Sequence, residues 1–404
     1  MRRLAAILAF SALALSAASV SAASRAYATT GAQGDTTVEM EAGQTSKVTL
    51  YFKNSGSYTW RGTGKNYVSL YATGPYKRKS VFRDGSWAGT YQAARLSQAT
   101  VSPGKTGTVT FTLRAPRTAG IYHEQFQLAV ENTAFIYGSV ARLTINVLPE
   151  TITMSTPVSA KSYYAMDLST GASMREQEAS EVRNIASITK LMTVMVAHEA
   201  GLDPDAVVAL ERRDEVGGGR LRVAVGTKLT VRNLVASVIV GSANNAANAL
   251  ARATGLTKEE FVARMNEKAR SLGLAATAFM DPTGIEVGNV STAKEVALMA
   301  RAAFNDSWIA EFAAEPEYEV ATAKGPHLIK NTNKLLGYDG LEVLAGKTGF
   351  IYEAGYTLVT ELKKDGKNGV IVVVLGSDTQ ADSFRDAKVV AEQAWLAQSD
   401  LAAL

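Results

Sequence analysis

A serine and a lysine stand one helical turn apart in the apolar stretch 185–192, which reads Ile-Ala-Ser-Ile-Thr-Lys-Leu-Met. An α-helix repeats about every 3.6 residues, so side chains three positions apart lie on one face and can touch. A lysine amine beside a serine hydroxyl can accept its proton and make the oxygen a nucleophile. Ser187 and Lys190 are therefore candidates for acyl transfer, although the same spacing taken alone also fits an ordinary serine beside a solvated lysine.

The composition excludes several other chemistries. The chain has 404 residues and no cysteine, which excludes disulfides, thiolate nucleophiles and cysteine-ligated zinc or iron–sulfur sites. Its histidines, His123, His198 and His327, stand outside any recognisable motif, so a Ser-His-Asp triad is not indicated. The net charge is only +4 and no Lys/Arg-rich run occurs, so we expect no nucleic-acid partner. We predict no metal and no other cofactor.

The triplet Gly-Lys-Thr occurs twice, at 104–106 and 346–348, and could suggest a phosphate-binding loop. Such a loop requires a glycine five positions before the Gly-Lys pair. Ala99 and Leu341 occupy those positions, so nucleotide binding is excluded at both sites. We expect the first triplet to be a polar turn that leads into a strand.

The N-terminus has the pattern of a secretory signal peptide. Two arginines at 2–3 precede an apolar run over 4–20, and Ala-Tyr-Ala at 26–28 fits the small-residue cleavage pattern. We predict a signal peptide over residues 1–28, a linker over 29–36 and a secreted, extracytoplasmic location. The alternative is an uncleaved segment that tethers the chain to a membrane, because the apolar run approaches the ~17 residues needed to span a bilayer.

The sequence pattern over residues 37–148 predicts an all-β domain. Apolar and polar residues alternate there with period two, and turn residues such as Asn54-Ser55-Gly56 separate the runs. Short alternating strands with such turns indicate an antiparallel β-sandwich. The clearest runs are Val48–Phe52, Val109–Leu113, Phe126–Val130 and Leu143–Val147.

The details of this segment resemble the Ig-like "four-tryptophan" domain family. Of the family's tryptophans, Trp60 and Trp87 are evident here. The resemblance implies an Ig-like sandwich, which we expect to serve as a spacer or adhesion module without catalysis. The similar stretches are Glu41–Gln44, Lys53–Trp60, Ser102–Gly104, Arg114–Pro116 and Ala119–Tyr122.

A short link over residues 149–158 contains two prolines, and residues 159–404 then have a mixed pattern. Strands at both ends around a block of helices indicate one α+β domain whose terminal segments share a sheet. The predicted strands are Ser162–Asp167, Ala354–Leu362 and Gly369–Leu375. The predicted helices start near Ser187, cover Val231–Ala253, Lys258–Leu272 and Thr292–Phe304, and run from about Ser383 to Ala397.

Two further motifs follow Ser187 and Lys190 in a fixed order, first Ser242-Ala243-Asn244 and then Lys347-Thr348-Gly349. This set, here about 50 and about 100 residues apart, is typical of penicillin-binding proteins and class A β-lactamases. Over about residues 160–395 the chain closely resembles the serine D-alanyl-D-alanine carboxypeptidases, the low-molecular-mass penicillin-binding proteins. The resemblance implies a β-lactamase/transpeptidase-like fold, with an antiparallel sheet and a helical cluster. Other similar stretches are Asp281–Ile285, Ser291–Ala297, Asn331–Leu336 and Glu353–Tyr356.

The chain departs from that family at two places. The family usually has Ser-Gly-Asn-Asp where this chain has Ser-Ala-Asn-Asn at 242–245. Extra residues at 342–345 precede the Lys-Thr-Gly motif. Neither change removes a group that the chemistry needs, but we expect the insertion to reshape the rim of the cleft.

Acyl transfer requires a nucleophile, a base and an oxyanion site. We expect Ser187 to attack the carbonyl and to supply one oxyanion N–H near a helix N-terminus. Lys190 is the natural base if burial and cationic neighbours lower its pKa from the ordinary value of about 10.4. Ser242 can relay a proton to the leaving amine.

The remaining predicted site residues bind the substrate. Asn244 can hydrogen-bond the substrate amide, Lys347 supplies positive charge and the Thr348 hydroxyl faces the substrate carboxylate, while Gly349 lets the strand approach the substrate backbone. The resemblance implies that the second oxyanion N–H belongs to Phe350. The family's carboxylate-binding arginine falls about two residues from Arg385, so the resemblance implies that Arg385 binds the substrate carboxylate. The alternative is that Arg385 is a solvated arginine at the start of a helix.

The leading prediction is a secreted serine D-Ala-D-Ala carboxypeptidase that trims peptidoglycan stem peptides through an acyl-serine and binds β-lactam antibiotics covalently. A D,D-endopeptidase of peptidoglycan cross-links stays open, because exo and endo action differ in the shape of the cleft rather than in motifs. A β-lactamase is disfavoured, since no Glu-x-x-x-Asn stands in the expected interval after Asn244. A wall-binding adhesion protein with an inactive enzyme domain is a further alternative, against which the intact motifs argue.

Overall fold

The computed structural model describes residues 26–30, 36–73, 79–338 and 340–402. The predicted signal peptide up to residue 25 and most of the predicted linker lie outside these residues. The chain divides into two compact units between Thr151 and Ile152, within the link predicted at 149–158. In the described ranges, no helix is both long enough and apolar enough to cross a membrane.

The first unit is β-rich, as predicted. One sheet has the strand order β1-β9-β8-β4-β5, in which β1 runs parallel to β9, while β2 pairs with β7 and β3 with β6. The strands are β1 (Thr36–Glu41), β2 (Thr45–Lys53), β3 (Trp60–Arg61), β4 (Val68–Thr73), β5 (Gln92–Arg95), β6 (Thr100–Val101), β7 (Thr106–Arg114), β8 (Gly120–Val130) and β9 (Ala134–Leu148).

Period-two alternation explains how these strands share one apolar core. In β7 the side chains of Val109, Phe111 and Leu113 are buried on one face, and those of the residues between them are more exposed. Trp60 and Trp87 both lie in this core, where the Trp87 indole N–H donates to the carbonyl of Thr112 at 2.7 Å. Both tryptophans therefore pack inside the domain.

The first folded unit starts earlier in the chain than predicted. Ala28 forms a bridge with Tyr137, and its carbonyl accepts a hydrogen bond from the backbone N–H of Ser55. Thr29 is buried and its hydroxyl donates to the carbonyl of Lys53 at 2.7 Å. Residues 26–29 thus also pack against the strands of the first unit, ahead of the predicted domain start at residue 37.

The second unit has the predicted α+β architecture. Its strands are β10 (Ser162–Asp167), β11 (Ser173–Gln177), β12 (Arg183–Asn184), β13 (Val207–Ala209), β14 (Lys228–Thr230), β15 (Val290–Ser291), β16 (Glu317–Val320), β17 (His327–Lys330), β18 (Glu342–Ile351), β19 (Gly355–Lys363) and β20 (Val370–Ser377). Its helices are α1 (Thr189–Glu199), α2 (Val231–Ile239), α3 (Asn244–Ala253), α4 (Lys258–Ser271), α5 (Ala293–Phe304), α6 (Ser307–Ala310) and α7 (Gln380–Ala402).

The terminal segments of this unit share one antiparallel sheet, in the order β11-β10-β20-β19-β18. β20 is buried along its whole length, because one apolar core lies on each face of the sheet. The core on one face contains residues of α1 to α6, and the core on the other face contains residues of α7. β18 lies at the edge of the sheet, so one side of its backbone faces away from the other strands.

One predicted helix proved wrong. The expected helix Val231–Ala253 is two helices, α2 and α3, separated at residues 240–243. Ser242 in this break has a φ of 54°, a left-handed backbone conformation that interrupts a right-handed α-helix. Apolar periodicity continues through the break, which is why the sequence pattern hides it.

Candidate active site

Ser187 lies in a 3₁₀ turn, Ala186–Ile188, directly before α1. Lys190 is on the first turn of that helix, and its amine donates to the Ser187 hydroxyl oxygen at 2.7 Å. The same amine donates to the carbonyl oxygen of Thr283 at 2.7 Å. Ala186 has a φ of 48°, and such strain in a non-glycine residue persists only where the surrounding structure holds it. The lysine is thus fixed at proton-transfer distance from the serine oxygen.

Lys190 meets both conditions that a lysine base requires. Its side chain is fully buried, and burial lowers the pKa of its amine well below the ordinary value. The positive charge of Lys347 lowers this pKa further, while the carboxylate of Asp281 raises it. The expected burial and cationic neighbour are confirmed, and a neutral amine of this kind can accept the serine proton.

A buried turn around Asp281 holds the pair in place. The Asp281 carboxylate accepts hydrogen bonds from the backbone N–H groups of Thr283 and Gly284, each at 3.0 Å, and from the Asn289 amide at 2.6 Å. Gly284 has a φ of +82°, and a Cβ there would lie 2.0 Å from the carbonyl oxygen of Ala186. The turn therefore packs directly on the backbone before the nucleophile and presents the Thr283 carbonyl to Lys190.

Ser242 and Lys347 form a second serine–lysine pair. The Lys347 amine donates to the Ser242 hydroxyl at 2.7 Å and to the carbonyl of Thr348 at 3.0 Å. Lys347 is fully buried, and burial lowers its pKa to about 7. The left-handed backbone at Ser242 places its hydroxyl in the gap between α2 and α3. Each serine of the predicted motifs is thus held by a buried lysine.

Asn244 begins α3 and contacts a glycine-rich loop at 217–219. Its side-chain amide donates to the carbonyl of Gly217 at 2.6 Å, and its backbone N–H donates to the carbonyl of Gly219 at 2.8 Å. A Cβ at Gly218 would lie 2.9 Å from the Asn244 amide nitrogen. The loop can lie this close to the motif because these residues have no side chain.

Asn245 holds the same loop from its other end. Its side-chain oxygen accepts from the backbone N–H of Leu221 at 2.9 Å, and its amide donates to the Leu221 carbonyl at 3.0 Å. The amide also donates to the Glu215 carboxylate at 3.0 Å. The Asn245 side chain is fully buried. The departure from the family pattern at this position is therefore a fully hydrogen-bonded structural residue.

The edge strand β18 runs beside the nucleophile. A Cβ at Gly349 would lie 2.9 Å from the Ser187 backbone nitrogen and 2.5 Å from the Thr357 hydroxyl, so the missing side chain lets β18 lie against the backbone of Ser187. Close approach of β18 to a substrate backbone stays a prediction. The Thr348 hydroxyl donates to the hydroxyl of Thr332 at 2.6 Å. Phe350 is 43% exposed, and its ring packs against Tyr356 with ring centres 4.4 Å apart.

Arg385 lies near the start of α7. Its guanidinium donates to the carbonyl of Pro157 at 2.9 Å and approaches the buried carboxylate of Asp386 at 3.8 Å. Asp386 in turn accepts from Ser159 and Ser377. These contacts tie the start of the domain to its last helix, and a substrate-binding role for Arg385 stays a prediction.

The histidines of this unit do not line the serine–lysine pairs. The ring of His198 is stacked on Trp308 with ring centres 4.6 Å apart, and its Nδ1 lies 2.9 Å from the Asp306 carboxylate. His327 is the first residue of β17. Among the described residues, no group of three His, Asp or Glu side chains could hold a metal ion.

Sequence reasoning missed three contributors to the site. Thr283 supplies a carbonyl to Lys190, Thr332 accepts from Thr348, and Asn245 holds the loop at Asn244. Thr283 and Thr332 lie in stretches already noted as similar to the family, at 281–285 and 331–336, and Asn245 is the position noted as a departure from its pattern. Those observations were the available signal, but the partners of these residues are distant in sequence.

The fold and the two serine–lysine pairs define a serine peptidase with the D,D-transpeptidase fold. The second unit is similar to the crystal structure of the Streptomyces K15 DD-transpeptidase, with a TM-score of 0.55 and 29% identity over 60% of this chain and 98% of that chain. It is also similar to penicillin-binding protein D2 from Listeria monocytogenes in a cefotaxime-bound form, with a TM-score of 0.53 and 31% identity over 59% of this chain and 98% of that chain.

The chain belongs to the D-alanyl-D-alanine carboxypeptidase family, whose model matches residues 150–379. A second model, the Ig-like domain from next to BRCA1 gene, matches residues 34–147. The chain is 32% identical to a D-alanyl-D-alanine endopeptidase of Haemophilus influenzae, over 57% of this chain and 80% of that protein. It is 34% identical to the D-alanyl-D-alanine carboxypeptidase DacF of Bacillus subtilis, over 57% of this chain and 60% of that protein. The protein is thus a serine D,D-peptidase, and its relatives carry both names.

Proposed function

We propose that this protein is a secreted serine-type D-Ala-D-Ala carboxypeptidase that trims peptidoglycan stem peptides through an acyl-enzyme on Ser187. The observation that carries the proposal is the Lys190 amine, fully buried, lowered in pKa and 2.7 Å from the Ser187 oxygen. A serine oxygen becomes a strong nucleophile when a neutral base of this kind takes its proton. β-Lactams, which present a strained amide to the same oxygen, are the expected covalent inhibitors.

Acylation begins when Lys190 accepts the Ser187 hydroxyl proton. The serine oxygen then forms a bond to the carbonyl carbon of the penultimate D-alanine, and the carbonyl oxygen takes up negative charge. The backbone N–H groups of Ser187 and Phe350 are the proposed donors to that oxyanion. The C–N bond to the last D-alanine breaks as Ser242 gives its hydroxyl proton to the nitrogen and takes in exchange the proton that Lys190 holds, which leaves Lys190 neutral again.

Deacylation reverses the roles with water as the attacking group. Lys190 accepts a proton from the water, the new C–O bond forms, and the bond to Ser187 breaks as the serine oxygen regains its proton. The products are the shortened stem peptide and free D-alanine. Asn244, Lys347 and Thr348 are proposed to hold the substrate on β18 during both steps, with Gly349 permitting close approach of its backbone.

The acyl-serine step can be tested by covalent labelling. A fluorescent penicillin should label the wild-type protein and should not label Ser187→Ala, with mass spectrometry placing the adduct on Ser187. Folded wild-type protein that takes no label would overturn the mechanism. Release of D-alanine from a peptide ending in D-Ala-D-Ala should vanish in Lys190→Ala, and surviving activity would show that another group is the base.

An endopeptidase is the second candidate, because relatives from Haemophilus influenzae and Pseudomonas aeruginosa carry that name. The two activities are separated by offering the protein a monomeric pentapeptide and a cross-linked muropeptide dimer in one reaction. Preferential loss of the terminal D-alanine from the monomer supports the carboxypeptidase. Preferential cleavage of the dimer would establish the endopeptidase instead.

A further inference from the structure

The outward face of the five-stranded sheet in the first unit carries an unusual set of polar and aromatic side chains. In β4 the core residues Val68, Leu70 and Ala72 alternate with Ser69, Tyr71 and Thr73, which therefore point to the opposite face. Strand register continues this outward row on both sides, since Tyr71 lies opposite Gln92 of β5 and Gln127 of β8. Thr73 lies opposite Gln125, whose amide donates to its hydroxyl at 3.4 Å.

A pocket of about 520 Å³ lies on this face, between β4 and the turn that joins β8 to β9. Its volume is within the range of roughly 300–1,000 Å³ that is usual for small-ligand sites. Three aromatic residues line it, Tyr71, Tyr91 and Phe135, and Tyr91 is 37% exposed. Tyr71 and Phe135 meet edge to face, with ring centres 6.2 Å apart, so the two rings form a corner rather than a flat stack.

One carboxylate in the pocket is held in a fixed orientation. The same oxygen of Glu131, Oε1, accepts hydrogen bonds from the hydroxyls of Ser69 and Tyr71, at 2.7 and 2.5 Å, and from the Gln92 amide at 3.4 Å. Burial and the neighbouring carboxylate together raise the pKa of Tyr71 to about 12. Within the described residues no donor reaches the other carboxylate oxygen, Oε2, which is therefore available as an acceptor for a ligand hydroxyl.

These groups suit one chemical class. Neutral amides and hydroxyls can donate to and accept from the vicinal hydroxyls and acetamido groups of sugars, and tyrosine rings cover their apolar C–H faces. Among the described lining residues there is no lysine or arginine that would attract an anion. A lone ammonium ligand would use the carboxylate and the rings but would leave the row of glutamines without a role.

We propose that this face of the first unit binds the glycan strand of peptidoglycan, with the pocket holding one sugar unit against Tyr91 and the Glu131 carboxylate. The row of outward side chains across β5, β4 and β8 fits a linear polymer that continues past the pocket along Tyr71 and Gln127. The ligand is the polymer that carries the stem peptides on which a D,D-peptidase acts. Glycan binding here would raise the local concentration of those peptides without contributing a group to the chemistry.

The direct test is calorimetric titration of the full chain with soluble, peptide-free glycan strands of alternating N-acetylglucosamine and N-acetylmuramic acid. The lactyl carboxylates of these strands are capped as amides, because the stem peptide neutralises them in the same way in the intact polymer. The wild type should bind, and Tyr91→Ala should bind at least about tenfold more weakly, which corresponds to 1.4 kcal/mol. Glu131→Gln should weaken binding similarly, because one acceptor oxygen becomes a donor while side-chain size is kept. Tyr51→Ala is the matched control, since this 46% exposed tyrosine lies on β2, outside the five-stranded sheet, and should bind as the wild type.

Several results would overturn the proposal. They are absence of glycan binding by the wild type, unchanged binding in both Tyr91→Ala and Glu131→Gln, and binding of the isolated stem peptide in place of the glycan. Thermal unfolding of each variant establishes that it is folded, and Glu131→Gln, which keeps side-chain size, carries the test if Tyr91→Ala does not fold. Penicillin labelling of Ser187 in the same samples tests the proposed enzyme function separately, since the two sites lie in different units.

Discussion

Lys347 acts on Lys190 through its charge: two buried lysines lie in one site, and the positive charge of the first lowers the pKa of the second. Each amine is held 2.7 Å from a serine oxygen, Lys347 at Ser242 and Lys190 at Ser187. Burial alone disfavours a charged amine, and the neighbouring charge makes protonation of Lys190 harder still. In the proposed mechanism the pair divides the work, with a neutral base beside Ser187 and, below about pH 7, a cation beside Ser242.

This division predicts a bell-shaped pH profile for acylation of Ser187. The rate should rise with pH as Lys190 loses its proton and fall above about pH 7, where Lys347 loses its own charge. The measurement is the second-order rate of penicillin labelling against pH. Lys347→Arg should move the alkaline limb to higher pH, because an arginine stays protonated throughout this range.

Lys347→Gln extends the same test to the base. Removing the charge should raise the pKa of Lys190, so the acid limb of the residual labelling rate should shift to higher pH. An acid limb that stays in place in this variant would show that Lys347 does not tune the base.

Lys347→Met should stabilise the enzyme domain while it abolishes activity. The folded-state pKa of Lys347 is about 7, below the ordinary value of 10.5, so the unfolded chain binds more protons between these values and stability rises with pH across this window. At pH 7 the substitution should raise the free energy of unfolding by roughly 1–3 kcal/mol, since each pKa unit corresponds to about 1.4 kcal/mol and the lost hydrogen bonds offset part of the gain.

Urea unfolding at pH 7 and at pH 10 measures this effect. The difference in the free energy of unfolding between variant and wild type should shrink at the higher pH, because the wild-type lysine is then neutral in the folded state and partly neutral in the unfolded chain. Lys363→Met is the control, because Lys363 is an exposed residue of β19 and its replacement should change stability little. A Lys347→Met protein less stable than the wild type at pH 7 would contradict the prediction.

How far the sequence predicts this site depends on how local each contact is. Ser187 and Lys190 are three residues apart, so helical geometry alone places them together. The contact of Lys190 with the Thr283 carbonyl spans 93 residues and that of Lys347 with Ser242 spans 105, and no local pattern encodes such pairs. The order of the motifs predicted that they meet, while the turn that supplies the carbonyl became evident only in the fold.

Backbone strain is the second part that the sequence conceals. Ala186 and Ser242 both have left-handed φ values, 48° and 54°, although neither residue type signals this conformation. The apolar pattern around Ser242 therefore predicts one continuous helix where the structure has two. The β-sandwich was predicted more fully, because period-two alternation is a local signal, but the packing of residues 26–29 depends on distant strands.

Gly284→Ala should disable the nucleophile. The new Cβ would meet the Ala186 carbonyl oxygen at 2.0 Å, and the φ of +82° adds strain, so the turn and the backbone before Ser187 cannot both keep their places. We expect a loss of roughly 2–4 kcal/mol in stability and of most penicillin labelling. Gly201→Ala is the matched control, since its φ is +72° but nothing lies within 4 Å of the new Cβ.

The control separates strain from contact. Gly201→Ala should cost only about 1–2 kcal/mol from the left-handed backbone and should keep the wild-type labelling rate. Equal labelling rates in the two alanine variants would show that the contact of Gly284 with Ala186 does not position the nucleophile.

Asn245→Leu should loosen the loop that orients Asn244. The substitution keeps the side-chain volume but leaves the N–H and carbonyl of Leu221 without their present partner, at roughly 1–3 kcal/mol for each buried group. Because the Gly217 carbonyl of the same loop accepts a hydrogen bond from the Asn244 amide, the acylation rate should fall together with stability.

Asn248→Leu is the control. It removes one hydrogen bond, to the Asp214 carbonyl at 3.1 Å, so it should cost less stability and leave acylation near the wild-type rate. Urea unfolding and penicillin labelling measure the two effects, and an Asn245→Leu protein that labels as fast as Asn248→Leu would show that the loop does not act on the site through Asn244.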